Sequence, residues 1–256
     1  TVLKPSLQEW LEVDGLGGFS SSTTSGIHTR RYHGWLFTAG REPGERWLCL
    51  SKLEDSLEGP GGKWNLSSNF YPGATHPDGL SNVWAFYKDP FPTFIYKVGK
   101  NFVVREIFMV KGRPGVFCVY RIKDCSELTG SEVFTLTLRP LCNSRFYHYT
   151  AKEGSWSPQI HSAVADSFAV LEGHAVGDLA LVCSSGTFTL DSKWYKDMVY
   201  PVERRRGLDY IEDHLSPGYF TARIRPGDEV VFWAGFISKE KDLVFKQFCS
   251  NLKAIT

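Results

Sequence analysis

One short run near the N-terminus, Arg30, Arg31, Tyr32 and His33, carries the side chains best suited to polar chemistry. Two guanidiniums, a phenol and an imidazole together offer hydrogen-bond donors and acceptors for a polar ligand. If the run is extended, Arg30 and Tyr32 face one way while Arg31 and His33 face the other, so one pair alone could line a site. The alternative is structural: carboxylates and carbonyls hold the two arginines, and Tyr32 is packed.

A second polar cluster follows a segment, 132–139, whose apolar residues alternate strictly, as in a half-buried strand. Asn143, Arg145, Tyr147 and His148 come where this strand is expected to give way to a loop. Amides and guanidiniums suit vicinal hydroxyls, which need closely placed donors and acceptors. We therefore predict that Asn143, Arg145 and His148 bind a polyhydroxy ligand. A hydrogen-bond network at the strand end is the alternative.

A third cluster, within residues 194–220, mixes aromatic, acidic and basic side chains. Its candidate substrate-binding residues are Trp194, Glu203 and Asp209. The three arginines at 204–206 are balanced by neighbouring acids, which indicates an ion-paired or solvated surface and not a nucleic-acid patch.

Two sequence patterns resemble a metal site and a dinucleotide-binding loop, but the residues around them do not fit either kind of site. Four neighbouring potential metal ligands occur in the third cluster, namely Asp209, Glu212, Asp213 and His214. They have no definite ligand spacing, so we predict no metal. The glycines at 15, 17 and 18 would need a surrounding βαβ unit to bind a dinucleotide, and the Ser/Thr tract after them is a poor helix. We therefore expect no cofactor.

The elements that would hold these clusters are short apolar runs separated by turn signals. We predict strands at residues 35–39, 47–53, 83–87, 94–98, 102–110, 116–123, 133–138, 168–171, 179–183, 187–190, 219–224 and 230–237. Many short strands without intervening helices indicate an all-β fold, an antiparallel sandwich or barrel.

We predict a single β-domain at residues 1–237, followed by a helix or linker at 238–256. Phe245, Phe248 and Leu252 fall on neighbouring rows of this helix. A lone helix after many strands is more typical of a connection than of a chain end, so we expect a further domain beyond it. The three side chains would then form an apolar patch where that domain docks.

Composition excludes several classes of function. Lys plus Arg total 29 against 28 acidic residues, and this balance argues against a nucleic-acid or membrane partner. No apolar run is long enough to span a membrane, and the first residues lack a secretory signal. The six cysteines have no C-x-x-C spacing, as is typical of free buried thiols in a reducing compartment. We predict a cytoplasmic protein.

The clusters resemble blocks of a known family. The stretch Glu9–Leu36, with D-G-L-G-G-F and T-R-R-Y-H-G, and the later Leu50–Glu54 are similar to the opening of the N-terminal domain of archaeal and bacterial glycogen debranching enzymes, the amylo-α-1,6-glucosidases. Residues 139–148 and 194–220 are similar to two further blocks of that domain, in the same order.

This resemblance implies both a fold and a function. The fold is an antiparallel β-supersandwich of the galactose-mutarotase-like type, which precedes an (α/α)6 catalytic barrel in the same polypeptide. The domain would pack on that barrel and help to bind an α-1,6-branched glucan, either glycogen or a limit dextrin. The sequence departs from the family pattern at His28, where Asn is common, and at Trp35, where Leu is usual.

Two other classes of function remain open. A stand-alone mutarotase-like sugar epimerase would use His33 or His148 as the acid and Glu203 as the base, both within reach of one sugar ring. A glucan-binding module without a barrel would expose a row of aromatic rings.

The debranching interpretation also predicts that the three clusters meet in space. Strand ends gather at the same edges of a sandwich, so residues far apart in sequence can share one neighbourhood. We expect Arg30 or Arg31 to lie near Asn143, Arg145 and Glu203.

Overall fold

Strands make up nearly all of the regular structure, as the apolar pattern predicts. The computed structural model describes residues 2–3, 6–123, 132–162 and 167–237. In chain order the strands are β1 Val2–Leu3, β2 Glu9–Val13, β3 Phe19–Thr23, β4 Gly34–Ala39, β5 Arg46–Gly59, β6 Gly62–Asn65, β7 Asn69–Tyr71, β8 Ala74–His76, β9 Val83–Tyr87, β10 Thr93–Val98, β11 Asn101–Met109, β12 Gly115–Lys123, β13 Phe134–Phe146, β14 Gln159–His161, β15 Phe168–His174, β16 Gly177–Cys183, β17 Gly186–Val199, β18 Ile211–Ile224 and β19 Glu229–Ile237. A short helix, α1, spans Pro201–Arg205, and a 3-10 turn spans Leu80–Asn82.

These strands form two large antiparallel sheets. Within the described ranges, the nine-stranded sheet has the order β1-β9-β10-β11-β12-β19-β16-β15-β14. The eight-stranded sheet has the order β17-β18-β13-β5-β4-β3-β2, with β6 paired to β5. The core cluster takes buried side chains from both sheets, including Leu53 and Leu136 from one and Phe86 and Ile107 from the other. The predicted all-β antiparallel sandwich is therefore confirmed.

Apolar periodicity located the strands well but not their full lengths. Each predicted run falls on an observed strand, and β5, β13, β17 and β18 continue well beyond the run that marked them. In β13, Phe134, Leu136 and Leu138 are buried, as their alternation predicts. The polar extensions of these long strands carry most of the side chains discussed below.

The opening block contains two strands that the sequence pattern did not reveal. β3 is the Ser/Thr tract, which has little apolar alternation although its side chains are largely buried. Its hydroxyls bond to backbone carbonyls, Ser21 to Trp10 at 2.9 Å and Thr23 to Ile27 at 2.7 Å. The enclosed hydroxyls of Ser21 and Thr23 thus keep hydrogen-bond acceptors within the protein.

The turn between β2 and β3 explains the glycine-rich motif of the opening block. The Asp14 carboxylate accepts hydrogen bonds from the backbone N–H groups of Leu16 and Gly18, at 2.7 and 2.9 Å. A Cβ at position 18 would lie 2.3 Å from Asp14 Oδ2, and Gly17 has a φ of +94°. The glycines therefore serve a tight turn and not a phosphate site.

A buried ion pair crosses the core between the sheets. Arg105 on β11 donates to Asp55 Oδ2 on β5 at 2.8 Å, and the Tyr120 hydroxyl on β12 donates to the same oxygen at 2.6 Å. The guanidinium of Arg105 also lies 4.6 Å from the ring centre of Phe94 and 5.1 Å from that of Trp35. Both charges are almost fully enclosed, so each depends on the other for compensation.

Lys52 makes a second buried junction, on the same strand as Asp55. Its ammonium group donates to the carbonyl oxygens of Gly26 and Ser68, each at 2.8 Å. Burial lowers the pKa of Lys52 to about 7. This side chain fastens the end of the Ser/Thr tract to the segment that precedes β7.

The four described cysteines, Cys49, Cys118, Cys142 and Cys183, are buried and free, as predicted. Cys125 and Cys249 lie outside the described residues. The predicted helix at 238–256, with Phe245, Phe248 and Leu252, also lies outside them, so the apolar patch expected there stays a prediction.

Replacing one member of the inter-sheet ion pair should destabilise the fold strongly. We expect Arg105→Met to lower the free energy of unfolding by about 3–5 kcal/mol, because Asp55 would be left as an uncompensated buried charge. The matched control is Arg121→Met, which breaks the half-exposed pairs with Glu106 and Glu229 and should cost under about 1 kcal/mol. Urea unfolding measures both; equal losses would contradict the argument.

Candidate functional site

The run at 30–33 forms a turn, so the extended geometry considered from sequence does not apply. The His33 backbone N–H donates to the Arg30 carbonyl at 3.0 Å. The Arg30 guanidinium pairs with Glu9, and His33 Nε2 lies 3.4 Å from the same carboxylate. The Arg31 guanidinium lies over the Tyr32 ring, 5.3 Å from its centre. The Glu9 carboxylate holds Arg30, as the structural alternative expects, whereas Arg31 packs on the Tyr32 ring and Tyr32 stays partly exposed.

Arg145 joins the three clusters. From β13, its Nη2 donates to the Arg31 carbonyl at 2.6 Å and to Glu212 Oε2 on β18 at 3.0 Å. Its Nε forms a close ion pair with the other oxygen of Glu212. A second link is the hydrogen bond from the Val202 backbone N–H in α1 to the Thr29 carbonyl, at 3.1 Å. The clusters thus occupy one neighbourhood, with Glu203 in α1 beside them.

A chain of hydrogen bonds continues from Glu212 into the sheet. The Tyr200 hydroxyl donates to Glu212 Oε2 at 2.5 Å and lies 3.1 Å from His214 Nε2. The Asn143 amide lies 3.3 Å from His214 Nδ1 and can only donate through its nitrogen. The Tyr200 proton is already committed to Glu212, so His214 must be a neutral imidazole that carries its proton on Nε2.

Burial of this network has clear electrostatic consequences. Desolvation lowers the pKa of His214 to about 4, and it does the same for His33. Burial and the Glu212 carboxylate raise the pKa of the Tyr200 hydroxyl. Asn143 and Arg145 are also buried, at 0% and 4% exposure, so both position neighbouring groups instead of facing solvent.

The exposed part of the neighbourhood is aromatic. The Tyr32 hydroxyl lies 3.0 Å from His148 Nδ1, and the Tyr147 and His148 rings are 3.8 Å apart. Tyr149 follows with 65% of its surface exposed. Of the side chains predicted from sequence to bind a ligand, Tyr32 and His148 are therefore accessible here.

A surface groove of 610 Å³ lies next to this aromatic group. Its walls are Thr150, Lys152, Arg204 and residues 207–211, which include Asp209 and Tyr210. The Arg204 guanidinium lies 5.6 Å from the centre of the Tyr210 ring. Lys152 extends from the groove to Asp213 at 3.3 Å and to Asp197 at 3.5 Å. The groove combines hydroxyl, ammonium, guanidinium and phenol groups, and among its described lining residues Asp209 supplies the single carboxylate.

Of the ten site residues predicted from sequence, all of them within the described ranges, only Asp209 lines this groove. Trp194 is partly buried against the hydrophobic core, and in the sheet it pairs with Leu215. Glu203 is fully buried in α1, where its Oε2 accepts from Arg206 at 3.3 Å. Helix α1 itself was missed because a five-residue helix that begins with proline has no apolar periodicity to detect. Lys152 and Tyr210 gave no signal in the sequence that marked them as groove residues.

The described residues contain neither a cluster of metal ligands nor a helix that could span a membrane. Within the described ranges, no group of three or more His, Cys, Asp or Glu side chains could hold a metal ion. The helices in that part of the chain include none long and apolar enough to cross a membrane.

The chain is a two-sheet β-sandwich with a polar groove where the segment after β13, helix α1 and the start of β18 meet; we call this side the loop face. Residues 8–231 match the family described as glycogen debranching enzyme N terminal, and the chain belongs to that family.

Comparison with known proteins adds two distant structural neighbours. One is a bacterial glucoamylase complexed with acarbose, which is 9% identical, with a TM-score of 0.40 over 97% of this chain and 36% of the glucoamylase. The other is a polysaccharide lyase, which is 10% identical, with a TM-score of 0.36 over 74% of this chain and 25% of the lyase. The chain thus spans about a third of the glucoamylase. None of the curated proteins matches it significantly in sequence.

The buried histidines should make the fold sensitive to acid. His33 and His214 have pKa values of about 4 in the folded chain, below the ordinary value of 6.5. Between these values the unfolded chain binds more protons, so stability rises with pH and falls as the pH is lowered. We expect His33→Asn, whose amide oxygen can still accept from Thr29, to reduce the loss between pH 7.5 and 4.5 by about 2 kcal/mol. Urea unfolding at each pH tests this; an unchanged pH dependence would contradict it.

Proposed function

We propose that this chain is the substrate-guiding N-terminal domain of a cytoplasmic glycogen debranching-type enzyme. In this proposal it packs on an (α/α)6 catalytic domain of the same polypeptide and positions an α-1,6-branched glucan, glycogen or a limit dextrin. The observation that carries the proposal is the junction at Arg145, which gathers the three family blocks behind one groove.

The chemistry of the groove supports a neutral, hydroxyl-rich ligand. Lys152, Arg204 and Thr150 offer donors, and the Tyr210 ring offers an apolar face beside them. A sugar ring presents hydroxyl edges and C–H faces, so it needs both kinds of group. The rigid network behind the groove reduces the conformational entropy that binding would otherwise cost.

Hydrolysis of the branch bond belongs elsewhere in this proposal. A glycosidase needs two carboxyl groups about 5–9.5 Å apart across the bond. Asp209 is the single carboxylate among the described groove residues, while Glu212 is committed to Arg145 and Glu203 is enclosed in α1. The acid and the base would therefore come from the catalytic domain.

The epimerase alternative receives no support from the placement of its candidate residues. His33 and Glu203 have 2% and 0% of their surfaces exposed, so neither can transfer a proton to a bound sugar ring. His148 is exposed, but its Nδ1 bonds to the Tyr32 hydroxyl.

Groove variants should bind a glucan more weakly than the parent chain. We expect Tyr210→Ala and Arg204→Ala each to weaken the binding of maltoheptaose about fivefold to tenfold, which is on the order of 1 kcal/mol. Trp84→Ala is the matched control, because Trp84 is an aromatic residue 61% exposed on the other sheet. Calorimetric titration provides the affinities. A parent chain that binds no oligosaccharide would overturn the proposed glucan contact.

The isolated chain should release no glucose from panose or a limit dextrin, because its described groove residues supply one carboxylate and a glycosidase needs two. A glucose-release assay tests this with the purified 256-residue chain. Turnover that disappears in Glu203→Gln would instead place the catalytic machinery in this domain.

A further inference from the structure

A half-buried carboxylate, Glu54, lies on the outer face of the eight-stranded sheet and is not among the residues that line the groove. Glu54 lies near the middle of β5 and accepts a hydrogen bond from the Asn69 amide at 3.1 Å. The Tyr195 phenol on β17 lies close enough to interact electrostatically with this carboxylate. Both neighbours are neutral groups that can donate hydrogen bonds. A carboxylate can accept about four hydrogen bonds, so acceptor positions remain for a ligand.

Two phenol rings flank this carboxylate. Tyr71 comes from the hairpin β7–β8, whose strand β7 also carries Asn69, while Tyr195 comes from the edge strand β17. Both rings are partly exposed. Burial raises the pKa of Glu54, as expected for a carboxylate held in a recess and not on open surface. We call this group of Glu54, Asn69, Tyr71 and Tyr195 the sheet recess.

A cationic and aromatic rim continues beside the sheet recess. Arg139 pairs in register with Glu54 across the β13–β5 ladder, and its guanidinium lies 4.8 Å from the centre of the Tyr219 ring. Arg139 is held by Asp191 at 2.6 Å and by the Ser216 hydroxyl at 3.2 Å. The rim therefore presents a fixed guanidinium edge and a ring face next to a hydrogen-bonding carboxylate.

The sheet recess and the groove are connected along β17. Asp197 lies two residues beyond Tyr195, within the register shift of β17 between Tyr195 and Met198. Its carboxylate lies 3.5 Å from Lys152, which lines the groove. Tyr195 is thus within two residues of a side chain that contacts a groove residue, a separation that one oligosaccharide chain can span.

We propose that the sheet recess is a second glucan-binding subsite, which holds a chain extending from the groove. Glu54 accepts hydrogen bonds from hydroxyl groups of one sugar unit, and the Tyr195 ring packs against the C–H face of that sugar. A neutral polysaccharide needs both polar and aromatic contacts, and the sheet recess offers both. Glu54 would repel an acidic ligand. This inference rests on the proposed function, because it assigns a further contact for the same glucan.

The test compares a long and a short oligosaccharide on the purified chain. Maltoheptaose can extend beyond the groove, whereas maltotriose is too short to occupy both subsites. We expect Tyr195→Ala to weaken maltoheptaose binding about tenfold and Glu54→Gln about fivefold. Neither variant should change maltotriose binding appreciably. Tyr195→Phe keeps the ring and should retain most of the affinity, which separates packing from loss of fold.

The controls make the result decisive. Trp84→Ala, on the opposite sheet, should bind both ligands as the parent does. If Tyr195→Ala and Glu54→Gln bind maltoheptaose like the parent while Tyr210→Ala does not, the sheet recess is not a subsite and the proposed function stands. If the parent chain binds neither oligosaccharide, both the proposed function and this inference are wrong.

Discussion

The pairing of Arg105 with Asp55 is the interaction on which the arrangement of the two sheets depends. A charge enclosed in the core must keep its partner, so the sheets cannot slide past one another without exposing or orphaning an ion. Tyr120 donates to the same carboxylate, and the Phe94 ring faces the guanidinium. Lys52, three residues before Asp55, extends this constraint to the opening block through the Gly26 carbonyl. One strand, β5, thereby fixes both the core and the loops outside it.

A second buried network performs the same task at the loop face. Arg145 and Glu212 bring together segments from opposite ends of the sequence, and Tyr200 and His214 continue the chain of bonds into the sheet. Because Glu212, Tyr200 and His214 each have a defined donor or acceptor role, the network admits few alternative geometries. This buried network consequently fixes the positions of the segments that line the groove.

The division between buried and exposed members of the family blocks has a functional meaning. The enclosed residues, such as Asn143, hold the backbone in place. The accessible ones, such as Tyr32 and His148, form the surface beside the groove. The proposed subsites lie on the same rigid sheet, since the groove meets β18 and the sheet recess lies between β5 and β17. A polymer that contacts both proposed subsites would be oriented relative to that sheet.

The sequence by itself determined most of the strands and the family, because apolar alternation and ordered motifs are local properties. The run 83–87 matches β9, and the alternation of 132–139 matches β13. Local pattern failed for β3, whose buried hydroxyls have no apolar signature. Only the tertiary structure decided which motif residues face solvent. Arg145 is buried because Glu212, 67 positions away, neutralises it, and a sequence pattern cannot identify so distant a partner.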